Sequence, residues 1–238
     1  MWLWILATLA AFYIKGLCGF ANTLVFTTIL GFGTNNINIS PVELVLGYPS
    51  NFILTWKNRS SLKKSVYIPL SLLVLAGSIP GAFLLKNVDA RMIKAVFGFV
   101  VVLLGIEMYF RETSRLRFRE SKAVLAVIGI LSGVLCGLFG VGALLAAYVG
   151  RVTGTGDEFK ANISAVFIVE NTFRIVLYTA LGIITGETVK QALMLFPIML
   201  AGLYAGMISG KVFDDRIVKR MVIILLIISG IVLIVKNI

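Results

Sequence analysis

The stretch Lys15-Gly16-Leu17-Cys18-Gly19-Phe20-Ala21-Asn22-Thr23-Leu24 and its echo Gly133-Val134-Leu135-Cys136-Gly137-Leu138-Phe139-Gly140-Val141-Gly142-Ala143-Leu144-Leu145 decide how the chain is read. Each lies in an apolar run too long for one simple crossing: as a continuous helix, Trp2 to Gly31 would extend about 45 Å against a hydrocarbon core of about 30 Å. The glycines are where such a run can break. Backbone released from a helix at membrane depth survives only where protein or a watery cavity satisfies it. Two such breaks, one per half, are the natural place for a binding site in a membrane transporter.

Composition points the same way. Of 238 residues, 59% are hydrophobic and 14% charged, and the mean hydropathy is +0.99, which leaves too little polar surface for a soluble domain. The first charge, Lys15, lies inside the apolar run rather than before it, unlike a cleaved signal peptide, so the N-terminus is expected to be retained. The net charge of +11 comes from cations in short loops between apolar segments. That is a topology signal, and no nucleic-acid partner is expected. The chain has no histidine, which removes histidine metal sites, Ser-His-Asp catalysis and histidine proton relays. Neither a cofactor nor enzymatic chemistry is expected.

The apolar segments run roughly 2–31, 41–56, 66–85, 92–110, 123–149, 161–184, 189–209 and 217–235. This predicts an all-α polytopic membrane protein of two four-segment repeats, 1–110 and 123–238, joined by a basic linker at 111–122. Internal matches support a duplication. Asp89-x-Arg91-x-x-Lys94 corresponds to Asp214-x-Arg216-x-x-Lys219, Gly77-x-x-x-Gly81 to Gly206-x-x-x-Gly210, Pro69 to Pro197, and Gly16-Leu17-x-Gly19 to Gly137-Leu138-x-Gly140. If all eight segments cross, eleven loop cations face nine. If the first segment of each repeat is instead a re-entrant hairpin, the division becomes fifteen against five. The second arrangement fits the inside-positive bias better and inverts one repeat relative to the other.

Several residues are candidates for chemistry. Half-helices meeting at a glycine break aim unpaired N–H groups and positive dipole ends inward, which suits an anion. Gly16, Gly19, Gly137, Gly140 and Gly142 would allow close backbone approach, with Asn22, Thr23 and Thr27 as side-chain donors; the plainer alternative for any one glycine is helix packing. Lys15 beside the first break must face a cavity, reach an interface or neutralise an anion. Glu170 and Arg174 form an i,i+4 pair, with Asn171 adjacent and Tyr178 one turn on. Arg174 is read as an anion ligand and Glu170 as its counter-charge or a proton carrier, against a purely structural pair. Asn51, after Pro49, stands 120 residues before Asn171 and could line the cavity symmetrically. Trp56, Lys57 and Arg59 read as an interfacial anchor, and the two Asp-Arg-Lys runs as structural; Glu107 is undecided. Cys18 and Cys136 leave open a membrane thiol oxidoreductase, although no Cys-x-x-Cys context activates them. A membrane scaffold subunit is a third reading.

The chain resembles the sulfite exporter TauE/SafE transporters, within the wider group of sulfonate and sulfite permeases. The likeness rests on Lys15-Gly16-x-x-Gly19-Phe20, Gly47-x-Pro49-x-Asn51 through Trp56-x-x-Arg59, and Gly77-x-x-Pro80-Gly81. In the second half it rests on Gly133 to Gly142 and on Asn171-x-x-Arg174-x-x-x-Tyr178-x-x-x-Gly182. The pattern departs where such proteins continue with another glycine and a proline, since this chain has Ala143-Leu144-Leu145-Ala146-Ala147-Tyr148. The resemblance implies a multi-pass inner-membrane permease for small sulfur-containing anions, sulfite or organosulfonates, with proton coupling. The expected partners are a small anionic substrate and the lipid bilayer; whether two copies form a homodimer is left open.

Overall fold

An apolar run in lipid satisfies its own backbone by coiling, and among the described residues every regular element is helical. These are α1 Trp2–Cys18, α2 Asn22–Leu30, α3 Ile39–Lys57, α4 Lys64–Asn87, α5 Lys122–Phe139, α6 Ala143–Val152, α7 Gly156–Ala180 and α8 Gly186–Ser209, with a 3-10 turn at Arg59–Ser61. The computed structural model describes residues 1–30, 39–87, 122–140 and 142–212, plus helical positions at 98–99, 102–103, 105–106, 109–110, 217, 220, 223–224, 227–228, 230–232 and 234–235. Linker residues 111–121, Glu107, and the Asp89, Arg91, Lys94, Asp214, Arg216 and Lys219 positions lie outside that set.

Among the described residues, three helices contain stretches long and apolar enough to cross a membrane, Lys64–Gly81, Gly156–Ala180 and Gly186–Ser209, while Trp2–Cys18 and Leu125–Gly137 are apolar but shorter. Their starts are chemically marked. The Thr155 hydroxyl accepts from the Glu158 N–H at 3.2 Å, with Asp157 and Glu158 in the first turn of α7. Thr185 and Thr188 cap the start of α8 reciprocally.

Both long apolar runs are broken at the glycines. Helix α1 closes on Gly19 (φ 89°), whose N–H donates to the Lys15 carbonyl at 2.7 Å. Helix α5 closes on Gly140 (φ 71°), whose N–H donates to the Cys136 carbonyl at 2.7 Å. Two residues further on, the carbonyls of Ala21 and Gly142 accept the first bonds of the next helices, from Val25 at 3.1 Å and Ala146 at 2.8 Å. Ala21 itself has φ 72°, a left-handed conformation that costs a residue with a Cβ about 1–2 kcal/mol. After the first break the chain doubles back. The Trp4 and Phe26 rings are 5.8 Å apart, whereas an unbroken helix would separate these positions by about 33 Å.

Small residues seam the helices together, as expected where lipid tails compete with apolar side chains. Helix α8 lays Gly202 and Gly206 on the α1 backbone at Leu9, Tyr13 and Leu17, and α1 returns Gly16 to Leu203 and Met207. Helices α4 and α5 repeat the device: Gly77 and Gly81 meet Ile130, Gly133 and Val134, and Gly133 meets Val74. Residue numbers rise together along both seams, so each pair is parallel. Gly98 and Gly230 bring two further helical stretches into contact in the same manner.

Helix α3 packs on α7, where the Tyr48 and Thr172 hydroxyls lie 2.9 Å apart. The end of α3, the start of α7 and the end of α8 gather at one end of the bundle. There Lys63 pairs with Glu158 at 3.0 Å, Asn162 accepts from the Lys63 N–H at 3.0 Å and donates to the Ser61 carbonyl at 3.3 Å, and the Lys57 ammonium meets the Met207 sulfur at 3.5 Å. Trp56 is exposed beneath the Arg59 guanidinium, 5.0 Å from its ring centre, consistent with an anchor role.

The seam generates a prediction. Gly206→Val drives side-chain carbon into the Tyr13 carbonyl and Leu17 nitrogen and should destabilise by about 1–3 kcal/mol or more. Gly186→Ala enters open space at the start of α8 and should stay within about 0.5 kcal/mol. Thermal unfolding in detergent reads both.

Candidate functional site

The two breaks line one small buried cavity. Phe20, Ala21, Asn22, Thr23 and Leu24 bring the first break and the start of α2 to it, and Gly140 and Gly142 bring the second. Lys15 reaches it from α1, Glu43 and Asn51 from α3, and Phe167, Asn171 and Arg174 from α7. At about 20 Å³ it has room for a molecule of water size. The first N–H groups of a helix have no acceptor within it. The opening turn of α2 and the N-cap of α6 both line this space, which sets two positive helix ends at its edge.

Lys15 is 1% exposed. Its ammonium donates to the Gly47 carbonyl at 3.4 Å and lies 5.9 Å from the centre of the Phe12 ring. The Ser50 hydroxyl donates to that same carbonyl at 2.6 Å. Glu43 sits one turn before Gly47, and the absent side chain there leaves space for the Glu43 carboxyl and the Asn22 amide, which hydrogen-bond to each other. Gly47 thus gathers a cation on its carbonyl and a carboxyl on its Cα.

Arg174 is held on several sides. Its Nη2 donates to Asn171 Oδ1 at 3.1 Å, its Nη1 to the Cys136 carbonyl at 3.4 Å, and its Nε faces Glu170 Oε1 at 3.5 Å. The guanidinium lies against Gly140, where a Cβ would collide with it. Glycine is thus required twice at that position, for the positive φ and for the space. Asn51 is 1% exposed and lines the cavity with neither its amide nitrogen nor its amide oxygen hydrogen-bonded. Buried polar atoms without partners cost about 1–3 kcal/mol each, so this amide points to something that fills the space.

Of the residues singled out in the sequence, Lys15, Asn22, Thr23, Asn51, Gly140, Gly142, Asn171 and Arg174 meet at the cavity. Glu170 backs Arg174, and Tyr178 is buried one turn further along α7. The remaining glycines lie elsewhere: Gly16 in the α8 seam, Gly19 at the turn over the Lys160 side chain, and Gly137 buried in the last turn of α5. Thr27 spends its hydroxyl on its own helix, at the Thr23 carbonyl, 2.7 Å away. Glu43, the carboxyl nearest the first break, was overlooked, although a lone acid in an apolar segment is itself a signal. Cys18 and Cys136 are buried thiols, and Cys18 donates to the Ile14 and Phe20 carbonyls at 2.9 and 3.2 Å.

Gly140→Ala should weaken binding of a small anion by about tenfold or more, since its Cβ displaces the guanidinium, while about 1–2 kcal/mol of backbone strain lowers stability. Gly182→Ala is the control: Gly182 has φ 68° but nothing within 4 Å, so its substitution strains the backbone and leaves binding intact. Calorimetric titration of both purified variants with sulfite separates strain from site geometry.

No curated protein and no solved structure gives a match to the chain. The family model for the sulfite exporter TauE/SafE matches residues 4–233. With that match running almost end to end through both breaks and the helices around the cavity, the chain belongs to the sulfite exporter TauE/SafE family of membrane transporters.

Proposed function

We propose that the chain is a secondary transporter of small sulfur-containing anions such as sulfite or organosulfonates. It works in the cell inner membrane by alternating access with proton coupling. The observation that carries this reading is the convergence of two half-helix N-termini with Lys15 and Arg174 on one buried cavity. Dipole ends and a forked guanidinium are donors suited to a pyramidal or tetrahedral oxyanion, and the Asn51 and Asn171 amides complete a polar lining. Glu170 serves as counter-charge to Arg174.

The architecture proposed is a pair of inverted repeats, 1–110 and 123–238, with a re-entrant first segment in each. Two features support it. Exchanging the halves exchanges the two glycine seams, α1 with α8 and α4 with α5. The loops after the second, fifth and seventh segments also gather at one end, as the re-entrant arrangement requires; eight full crossings would put the loop after the second segment opposite the other two. Because each seam joins one helix from either half, the bodies that rock are the seamed pairs rather than the sequence halves. The thiol reading finds no support in the geometry, since the Cys18 thiol is used on its own helix and the neighbouring turn.

Arg174→Ala should reduce anion flux in proteoliposomes by roughly a hundredfold to a few thousandfold, in line with about 3–5 kcal/mol for one partner of a buried charge pair. Arg174→Lys should recover part of it. Wild-type flux in a monodisperse Arg174→Ala preparation would remove this side chain from the site. A panel of sulfite, thiosulfate, sulfonates and carboxylates, with and without a pH gradient, identifies the substrate.

A further inference from the structure

The cavity and its backing hold four ionisable side chains, two of each sign: Lys15 and Arg174, Glu43 and Glu170. The two acids are placed differently. Glu170 faces the Arg174 Nε at 3.5 Å from the same helix, one turn away. Glu43 lines the cavity itself, and its hydrogen-bond partners are neutral, the Asn22 amide and the Thr23 hydroxyl. Around Glu43 stand Lys15 from α1, Asn22 and Thr23 from α2, and Arg174 with Glu170 behind it from α7. Helix α8 adds no charge at this level, because Glu187 and Lys190 are exposed in its opening turns.

With all four groups ionised the set is neutral. An anion entering it would leave one uncompensated negative charge in a water-poor interior, which is strongly unfavourable. A proton arriving on one carboxylate restores neutrality. Glu170 is poorly placed to accept it, since it is set behind Arg174, 3.5 Å from its Nε, and does not line the cavity. Glu43 has a cavity-facing carboxyl held by an amide that can serve either form, donating through nitrogen to the carboxylate or accepting through oxygen from the acid once turned over.

We propose that Glu43 is the proton-carrying group of this transporter: each monoanion bound in the cavity is accompanied by one proton on the Glu43 carboxyl, so that the loaded site is electrically neutral. The proton comes from the aqueous phase open to the cavity and returns to water on the other side when the anion leaves. No covalent bond to the substrate forms. The substrate class that follows is a small monoanion moved with one proton, and net charge does not cross. This inference rests on the transport reading above and identifies where its coupling resides.

The test uses the full chain reconstituted in lipid. Flux of labelled sulfite above that of protein-free vesicles checks the underlying reading, and its absence defeats both proposals together. With flux established, infrared difference spectra are recorded on adding sulfite at constant pH. The wild type should gain the carbonyl stretch of a protonated carboxyl, above the amide band. Glu43→Gln should lose that band while still binding sulfite, Glu43→Asp should shift it, and Glu170→Asp, which keeps the charge count, should leave its frequency unchanged. A wild type that binds sulfite without the band overturns the assignment, as does a band that survives Glu43→Gln or that moves in Glu170→Asp. Should Glu43→Gln fail to fold, the Glu43→Asp shift decides, and an unshifted band counts against the proposal.

Discussion

A guanidinium pressed against a left-handed glycine, at the point where an apolar helix stops, is the contact on which the interior depends. Arg174 is 3% exposed, and a charge that far from water needs partners on every side. Cys136 supplies a carbonyl already engaged by the Gly140 N–H, Asn171 supplies an amide oxygen, and Glu170 supplies the opposite charge. Any side chain at residue 140 would push the guanidinium out of this set.

The first break answers with different chemistry on the same backbone plan. Gly19 and Ala21 reproduce the pattern of Gly140 and Gly142, a left-handed residue closing one helix and a carbonyl two positions later opening the next. Here the cation is on the broken helix itself, since Lys15 supplies the carbonyl to which the Gly19 N–H donates and sends its ammonium across to α3. One break therefore brings its own charge and the other borrows one from α7. The cavity between them sets these charges and the Asn22, Asn51 and Asn171 amides beside the apolar Phe20, Leu24 and Phe167.

Much of this was legible in the sequence because it follows from length and from residue types with a single use. A run too long for the bilayer had to break, and Gly19 and Gly140 were the residues able to adopt a positive φ there. Lys15 and Arg174 stood out as charges in apolar surroundings. Glycines were harder to apportion: Gly16 and Gly140 look alike in the chain, but one meets the α8 backbone and the other a guanidinium, a difference set by partners far away in sequence. Glu43 was missed because attention went to the i,i+4 pair in α7, where two charges announce each other. Its partner Asn22 lies 21 residues away on another helix, a separation with no local periodicity to reveal it. Ala21 at φ 72° could not have been read at all, since nothing in an alanine side chain favours that conformation and its Cβ opposes it.

The two kinds of interface around the cavity differ in what movement they permit. The α1–α8 and α4–α5 seams bring backbone to backbone through glycines, and sliding either by a residue would drive side chains into carbonyls. These pairs are therefore stiff against shear. The α3–α7 contact instead carries a hydroxyl pair, Tyr48 with Thr172, and passes beside the unpaired Asn51 amide, and hydrogen bonds of that kind can be exchanged for water as the surfaces part. Motion that opens the cavity would then follow the polar interface and leave the glycine seams intact. The charges lie on both sides of that interface, Lys15 and Glu43 with α1 and α3, Arg174 and Glu170 with α7. Parting it with all four ionised separates one balanced pair from another, so neither side is left carrying an unmatched charge while the site is empty.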